Sequence, residues 1–346
     1  MNTLPVPPLW LALSLSTIAS AVSMTAAAQA PAQPAVAPDA FVNALEGTFG
    51  RHDGARRSHA KGVCAYGHFV GSAAGRDFSS ASVFSGERVP VIARFSVGAG
   101  SPADSDKSRS VRGLALAFEL PNNERWLTAN LSAPVFFVGK PEHFVGFIES
   151  RRPDPATGRA DPARVKAFND AHPDTKPQIE WLAANPVPAS YAGIGYFSTH
   201  AFRFTDRTGV TRFARWQFDP VMPVPGLSDE ALKSASDHFL VDELRQRVAT
   251  APVEFRFRLQ LAEAGDDTTS PVAQWPATRT LIDAGRLVID RVAPDAGGAC
   301  VPITFDPLVL PKGIAPSDDP VLLARSAPYV VSLARRLAPQ QGEKAQ

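Results

Sequence analysis

Residues 255–262 read Phe-Arg-Phe-Arg-Leu-Gln-Leu-Ala. Alternation of apolar and polar side chains at a period of two is what a strand with one buried and one wet face requires. Outward from this stretch, residues 59–69, 89–96 and 111–120 mix β-branched, aromatic and small residues between clusters of Gly, Pro and Asp, the composition of strands bounded by turns. Residues 196–204 and 212–218 make a strand pair joined by Asp206-Arg207-Thr208-Gly209. Further strands are expected at 286–290 and 303–305, and the apolar run 135–138 after Pro134 reads as a short buried strand. Helical patterns occupy 41–50, 154–185, a stretch opened by the N-cap Ser228 and running to about Thr250, and the segment after Pro320, with Asp318 or Asp319 as its cap. No internal repeat and no boundary past residue 40 is visible. The simplest account is a single α+β domain, residues 41–340, built on an antiparallel barrel-like sheet with helices attached.

The charge balance is even, with Lys+Arg 35 against Asp+Glu 34 and a net charge of +1. Without a basic run or an aromatic-interleaved basic stripe, nucleic acid is not expected as a partner. Residues 9–28 are apolar and small, and a Pro/Ala-rich stretch follows. We read residues 1–28 as a signal peptide and 29–40 as a linker, with cleavage after Ala28 or Ala30 and a periplasmic or secreted product. The segment lacks the usual basic start, but it is short and Ala/Ser/Thr-rich for a membrane span, so no span is expected in the mature chain. Cys64 and Cys300 are too few for zinc-finger or iron–sulfur spacing, and a count of two does not decide whether they pair. The seven histidines contain no HExxH and no close pair, so no zinc site is signalled.

Three local patterns point to chemistry. Arg325, Tyr329 and Arg336 fall at i, i+4 and i+11, close to one face of a helix and spanning roughly 16 Å. A phenol beside a guanidinium on an otherwise apolar helix is a device for stabilising phenolate, although a packed tyrosine with solvated arginines has the same pattern. His59 starts an apolar strand in Arg56-Arg57-Ser58-His59-Ala60-Lys61-Gly62. Arg94 and Ser96 share one side of a strand, so that one could bind an anion and the other a histidine nitrogen.

In order along the chain, these segments resemble landmarks of the catalase family. His59-Ala60-Lys61-Gly62 with Phe69 resembles the strand of the distal histidine, and Arg94-Phe95-Ser96 with Ala103-Asp104 and Arg112-Gly113 resembles the next block. Pro134-Val135-Phe136-Phe137 is similar to the distal wall, Gly195-Tyr196 with Ser198, His200 and Phe202 to a middle strand, and Phe305-Asp306-Pro307 with Gly313-Ile314 to the approach to the proximal helix.

The resemblance implies a catalase-like barrel with haem b held between the barrel and the C-terminal helix. Tyr329 would bind the iron as phenolate beside Arg325. Arg56, Arg94 and Arg336 would pair with the haem propionates. His59 would be the distal acid/base, Ser96 its hydrogen-bond partner, and Phe144 the ring on the distal face. Counting back from Pro134 gives Leu131 for the distal asparagine, and Asn130, one residue away, is assigned to that place. Leu333 and Ala334 replace the His and Arg of catalases. Short termini imply a monomer or small homo-oligomer with an open channel. The implied function is peroxidase chemistry on hydrogen peroxide or organic hydroperoxides through a high-valent iron state, with an unknown electron donor and weak catalase activity. A hydroperoxide isomerase of allene-oxide type and a non-catalytic haem-binding protein are the alternatives.

Overall fold

The computed structural model describes Met1, residues 36–293 and residues 298–338. The expected signal peptide beyond Met1, and the linker up to residue 35, lie outside the described residues. The described chain opens with helix α1 (Pro38–Phe49), then strand β1 (Gly62–Gly71), helix α2 (Ala73–Phe78) and strands β2 (Arg88–Val97), β3 (Arg112–Glu119) and β4 (Arg125–Leu131). Helices α3 (Pro141–Ser150), α4 (Pro162–Ala171) and α5 (Lys176–Ala184) follow, then β5 (Tyr196–Phe197), β6 (Phe202–Thr205) and β7 (Thr211–Pro220). Helices α6 (Asp229–Ser234) and α7 (Phe239–Thr250), strands β8 (Val253–Leu261), β9 (Leu281–Val292) and β10 (Ile314–Pro316), and helices α8 (Pro320–Leu323) and α9 (Ser326–Leu337) complete it.

Eight strands close into an antiparallel barrel in the order β1-β2-β3-β4-β5-β7-β8-β9, with β9 pairing back to β1. Strands β6 and β10 extend the sheet from β7. Closure removes the open edges on which a sheet would otherwise recruit another chain. The alternation at 255–262 lies on β8 as read: Phe255, Phe257 and Leu259 are fully buried while Arg256 is exposed. Inside, Phe257 meets Phe69 at 5.5 Å and Phe218 at 4.9 Å, and Phe118 stacks on Trp126 at 4.8 Å. Such ring pairs add about 0.5–1.5 kcal/mol each beyond their burial. Among the described residues no helix is long and apolar enough to cross a membrane.

Several local readings change. Residues 135–138 form no strand, because the N–H of Phe136 goes to Pro271 O and the carbonyl of Val135 accepts from the Gln178 side chain. Residues 303–305 are also irregular, and the carbonyl of Ile303 accepts from Arg56. The helix expected from Ser228 to Thr250 is two helices, since the carbonyl of Asp237 between them is taken by Lys61 Nζ and the N–H of Asp106. Strand β1 begins at Gly62, leaving His59 in the preceding loop. Cys64 and Cys300 are joined in a disulfide that ties β1 to the loop following β9, with Cα atoms 5.5 Å apart.

Candidate active site

A cavity of about 520 Å³ lies between the barrel wall and helices α1, α3 and α9, and it is lined by His59, Ser96, Asn130, Phe144 and Tyr329 together with Arg56, Arg94, Arg325 and Arg336. Helix α1 packs on both α3 and α9. Glu46 of α1 fixes the arrangement by pairing with Arg335 of α9 at 2.7 Å and with Arg57 in the loop that carries Arg56 and His59.

His59 sits at φ 52°, a left-handed conformation that is uncommon for a residue with a Cβ. Arg94 on β2 holds it there, donating from Nη1 to the carbonyl of His59 (2.8 Å) and from Nη2 to that of Ala60 (2.9 Å). Two residues along β2, on the same face, Ser96 Oγ lies 3.0 Å from His59 Nδ1. A Cβ at residue 113 would fall 2.8 Å from His59 Nδ1 and 2.6 Å from Ser96 Oγ, so only Gly113 leaves room for the ring. Burial, followed by the charges of Arg94, Arg325, Arg56 and Arg112, pushes the His59 pKa down to about 3. The ring is therefore neutral near pH 7, anchored through Nδ1, and Nε2 has no hydrogen-bond partner among the described residues.

On the same cavity, Arg325 donates from Nη2 to Tyr329 Oη. Its Nη1 lies 3.3 Å from His200 Nε2, and His200 Nδ1 lies 2.6 Å from Asp319 Oδ2. Arginine only donates, and Asp319, which accepts the N–H groups of Val321 (2.8 Å) and Leu322 (3.2 Å) at the start of α8, acts as a carboxylate. His200 must therefore be neutral with its proton on Nδ1. Burial, the largest influence, lowers its pKa, while Asp319 raises it. Sequence reading placed His200 only as a landmark and Asp319 only as a helix cap. Their link to Arg325 spans 125 residues and no spacing reveals it.

Half-buried Arg56 and the buried Arg94 and Arg336 form a cationic group on the cavity. Arg56 Nη2 donates to the carbonyls of Cys300 (3.0 Å) and Ile303 (2.6 Å), and its guanidinium lies over Phe305. Burial first and then the neighbouring Arg94 and Arg336 bring Arg56 down to about 9, and burial with Arg336 brings Arg94 to about 10. Arg336 Nη2 is buried without a partner. Among the described residues no carboxylate pairs with any of these three. Buried cations without counter-ions are costly, so the arrangement calls for an anionic ligand. The two carboxylates of a porphyrin meet that need. Phe144 meets Phe41 at 5.1 Å and Phe137 at 5.2 Å, giving the cavity an aromatic wall suited to a flat apolar ring.

Asn130 requires a correction. Both N–H groups of its amide are committed, to Leu114 O at 2.7 Å and Thr128 Oγ1 at 2.9 Å, and its Oδ1 accepts from Trp216 Nε1 at 2.6 Å. The residue borders the cavity, but the amide braces β4 against β3 and β7 and is not free to position a substrate. The next residue, Leu131, packs instead with the Phe136 and Phe144 cluster.

A closed barrel whose cavity is lined by a neutral imidazole, an arginine-backed tyrosine and guanidiniums without carboxylate partners defines an enzyme core whose residues a porphyrin would fit. Residues 27–343 match the family described as Catalase, and the chain belongs to that family. It is 42% identical over 94% of its length to a catalase-related peroxidase of Synechococcus elongatus, covering 96% of that protein. It is 34% identical to a catalase-related peroxidase of Mycolicibacterium paratuberculosis, over 89% of this chain and 97% of the relative. A catalase of Streptomyces coelicolor is 32% identical over 78% of this chain, which spans 58% of that longer protein. The fold superposes on a fungal catalase crystal structure with a TM-score of 0.75 at 22% identity, covering 82% of this chain and 60% of that one.

Proposed function

We propose that this protein is a haem peroxidase in which Tyr329 ligates the iron of haem b, His59 moves the substrate proton, and hydrogen peroxide or an organic hydroperoxide is reduced at the expense of an external donor. It is an oxidoreductase acting on peroxide, the activity class that its catalase-related relatives share. Haem, when bound, supplies the iron centre at which the O–O bond is reduced.

The chain's own residues handle position and protons. A peroxide must lose a proton from one oxygen and gain one on the oxygen that leaves, and a single neutral imidazole can do both in turn. His59 Nε2 takes the proton while its Nδ1–H donates to Ser96, whose hydroxyl remains an acceptor throughout. Because burial, and after it the neighbouring guanidiniums, hold its pKa near 3, the imidazolium is short-lived and returns its proton to the departing oxygen. Arg325 donates to Tyr329 Oη and so fixes the position of the ligand oxygen. Arg56, Arg94 and Arg336 would take the propionates. With no free asparagine amide at Asn130, peroxide orientation falls to His59 alone, which favours weak catalase activity beside donor-dependent peroxidase turnover.

The observation that carries this reading is a neutral His59 with an unpartnered Nε2 on the same cavity as Tyr329. The test is to purify the haem-loaded protein, record its absorption spectrum, and follow hydrogen peroxide and cumene hydroperoxide with and without a phenolic donor. Donor-dependent loss of peroxide with little oxygen release is expected. Absence of a Soret band after haem supplementation, or isomerisation of a fatty-acid hydroperoxide without donor consumption, would overturn it. We further propose a secreted or periplasmic protein, a monomer or small homo-oligomer. Cell fractionation and light scattering test these two points.

A further inference from the structure

Outside the cavity lining, at the start of helix α3, three groups meet that the sequence leaves apart. His143 in the first turn of α3 lies with His172, the residue after α4, and with Asp174 in the short turn that follows. One potential ligand atom from each residue lies within 4.8 Å of the others, and all three residues are half-buried. His143 Nδ1 is 2.9 Å from Asp174 Oδ2, across 31 residues, and the His143 and His172 rings have their centres 4.2 Å apart. Asp174 Oδ2 also accepts the N–H of Gly139 at 2.6 Å. Burial alone would raise the pKa of Asp174, but the Gly139 N–H and His143 outweigh it and keep the group an anion below its ordinary range.

We propose that His143, His172 and Asp174 form a binding site for a divalent transition ion of the zinc class. Two imidazoles and one carboxylate are the donor set that such ions prefer, whereas magnesium and calcium favour oxygen ligands. Three protein ligands leave a fourth position for water. A helix clamp made only of His143 and Asp174 would leave His172 unexplained: its ring stacks on His143 and on Phe168, and neither ring nitrogen has a hydrogen-bond partner among the described residues. Donor atoms around a tetrahedral zinc at about 2.0–2.1 Å sit roughly 3.3 Å apart, so His143 and Asp174 already stand close enough and the His172 ring would have to draw in. None of these groups is used in the peroxide chemistry, so the site stands or falls separately from it. Its position gives it a consequence, because a bound ion would pin the start of α3, the helix that carries Phe144 and Phe147 into the cavity wall.

The test is Zn²⁺ titration of the haem-loaded, full-length protein by calorimetry, with Mg²⁺ as the comparison. One Zn²⁺ per chain is expected, with no comparable Mg²⁺ binding and a zinc-dependent rise in melting temperature. His172→Ala, at a half-exposed position after a helix end, is expected to weaken Zn²⁺ binding by at least about tenfold, the lower end of what even outer-sphere changes cost. Exposed His238→Ala is expected to leave it unchanged. Diffraction data at the zinc absorption edge from soaked crystals should show an anomalous peak among the three side chains. Equal Zn²⁺ affinity in wild type and His172→Ala, or a peak only elsewhere, would overturn the proposal. If Asp174→Asn loosens the Gly139 anchor and unfolds α3, the His172→Ala comparison and the anomalous peak still decide the question.

Discussion

Ser96 Oγ and His59 Nδ1 lie 3.0 Å apart, joining the second barrel strand to a loop 37 residues earlier. The contact fixes which ring nitrogen is left for chemistry. Ser96→Ala is expected to keep haem and fold but to lower the rate of peroxide cleavage by about fivefold, the equivalent of a hydrogen bond worth about 1 kcal/mol. His59→Ala should lower it by about 10²–10⁴-fold, the usual contribution of a positioned proton-transfer group. Stopped-flow reaction with stoichiometric peroxide measures both, with haem content determined beforehand. Formation of the oxidised enzyme at the wild-type rate in haem-loaded His59→Ala would remove it from the proton step.

The low pKa of His59, about 3, predicts the pH profile. A free histidine loses its base form below about pH 6.5. Here the neutral ring persists well below that, so the cleavage rate should stay flat from neutrality to about pH 4 and fall only on approach to the folded pKa. Stability moves the other way over the same window. The unfolded chain binds a proton at this residue below about pH 6.5 while the folded chain does not, so folding loses stability as pH falls from there towards 3. Rate and melting temperature recorded across pH 4 to 8 test both signs, and a rate that halves near pH 6.5 would contradict the assignment.

Tyr329→Phe and Arg325→Leu should fail differently. Phenylalanine cannot ligate iron, so Tyr329→Phe should lose haem affinity and the spectrum of a phenolate-bound ferric centre. Arg325→Leu keeps the phenol but removes its donor and leaves His200 Nε2 without a partner. It should retain haem with a shifted spectrum and a lowered reduction potential, because losing a hydrogen-bond donor and a positive charge beside the ligand oxygen favours ferric iron. An unchanged spectrum in Tyr329→Phe would place the axial ligand elsewhere.

Much of the barrel was legible because its strands carry their pattern locally: 255–262 alternates, and 89–96 and 111–120 are apolar between turn residues. Strand β4 escaped because its inward face carries Trp126, Thr128 and Asn130, a buried but partly polar set that hides the period of two. The apolar run at 135–138 misled for the opposite reason, being buried without ladder partners. Arg325 and Tyr329, one turn apart, form a local oddity that a packed tyrosine with solvated arginines would share, so their proposed roles rest on the order of family landmarks along the chain. The Asp319–His200–Arg325 chain and the committed amide of Asn130 are tertiary facts, set by which strands and helices meet. The same holds for His143, His172 and Asp174.

Arg336 offers a direct test of the cationic group. Its Nη2 is buried and has no hydrogen-bond partner among the described residues. Arg336→Ala should therefore cost the protein little in its haem-free state, or even stabilise it, while weakening haem retention. A hydrogen bond to a charged group is worth about 1.5–3 kcal/mol, so haem loss should speed up by roughly ten- to a hundredfold. Transfer of haem to a competing apoprotein, followed at the Soret band, measures this. Unchanged transfer in Arg336→Ala would mean that the anion it awaits is not a propionate.

The disulfide supports the same group from behind. Cys300 is bonded to Cys64 on β1, and the carbonyl of Cys300 accepts from Arg56 at 3.0 Å. The bridge closes a separation of 236 residues, so its removal should cost stability through the unfolded chain, typically about 2–4 kcal/mol. Cutting it should also free the loop that presents the carbonyls of Cys300 and Ile303, loosening Arg56. Replacing both cysteines with alanine is thus expected to lower the melting temperature and to speed haem loss. Arg56→Ala should speed haem loss without the full drop in melting temperature. The comparison separates two roles for the bridge, because a purely entropic staple would destabilise the fold while leaving haem transfer from the folded protein unchanged. Measuring transfer well below the melting transition of the double variant decides between them: faster transfer there means that the disulfide acts through Arg56 on the cavity itself.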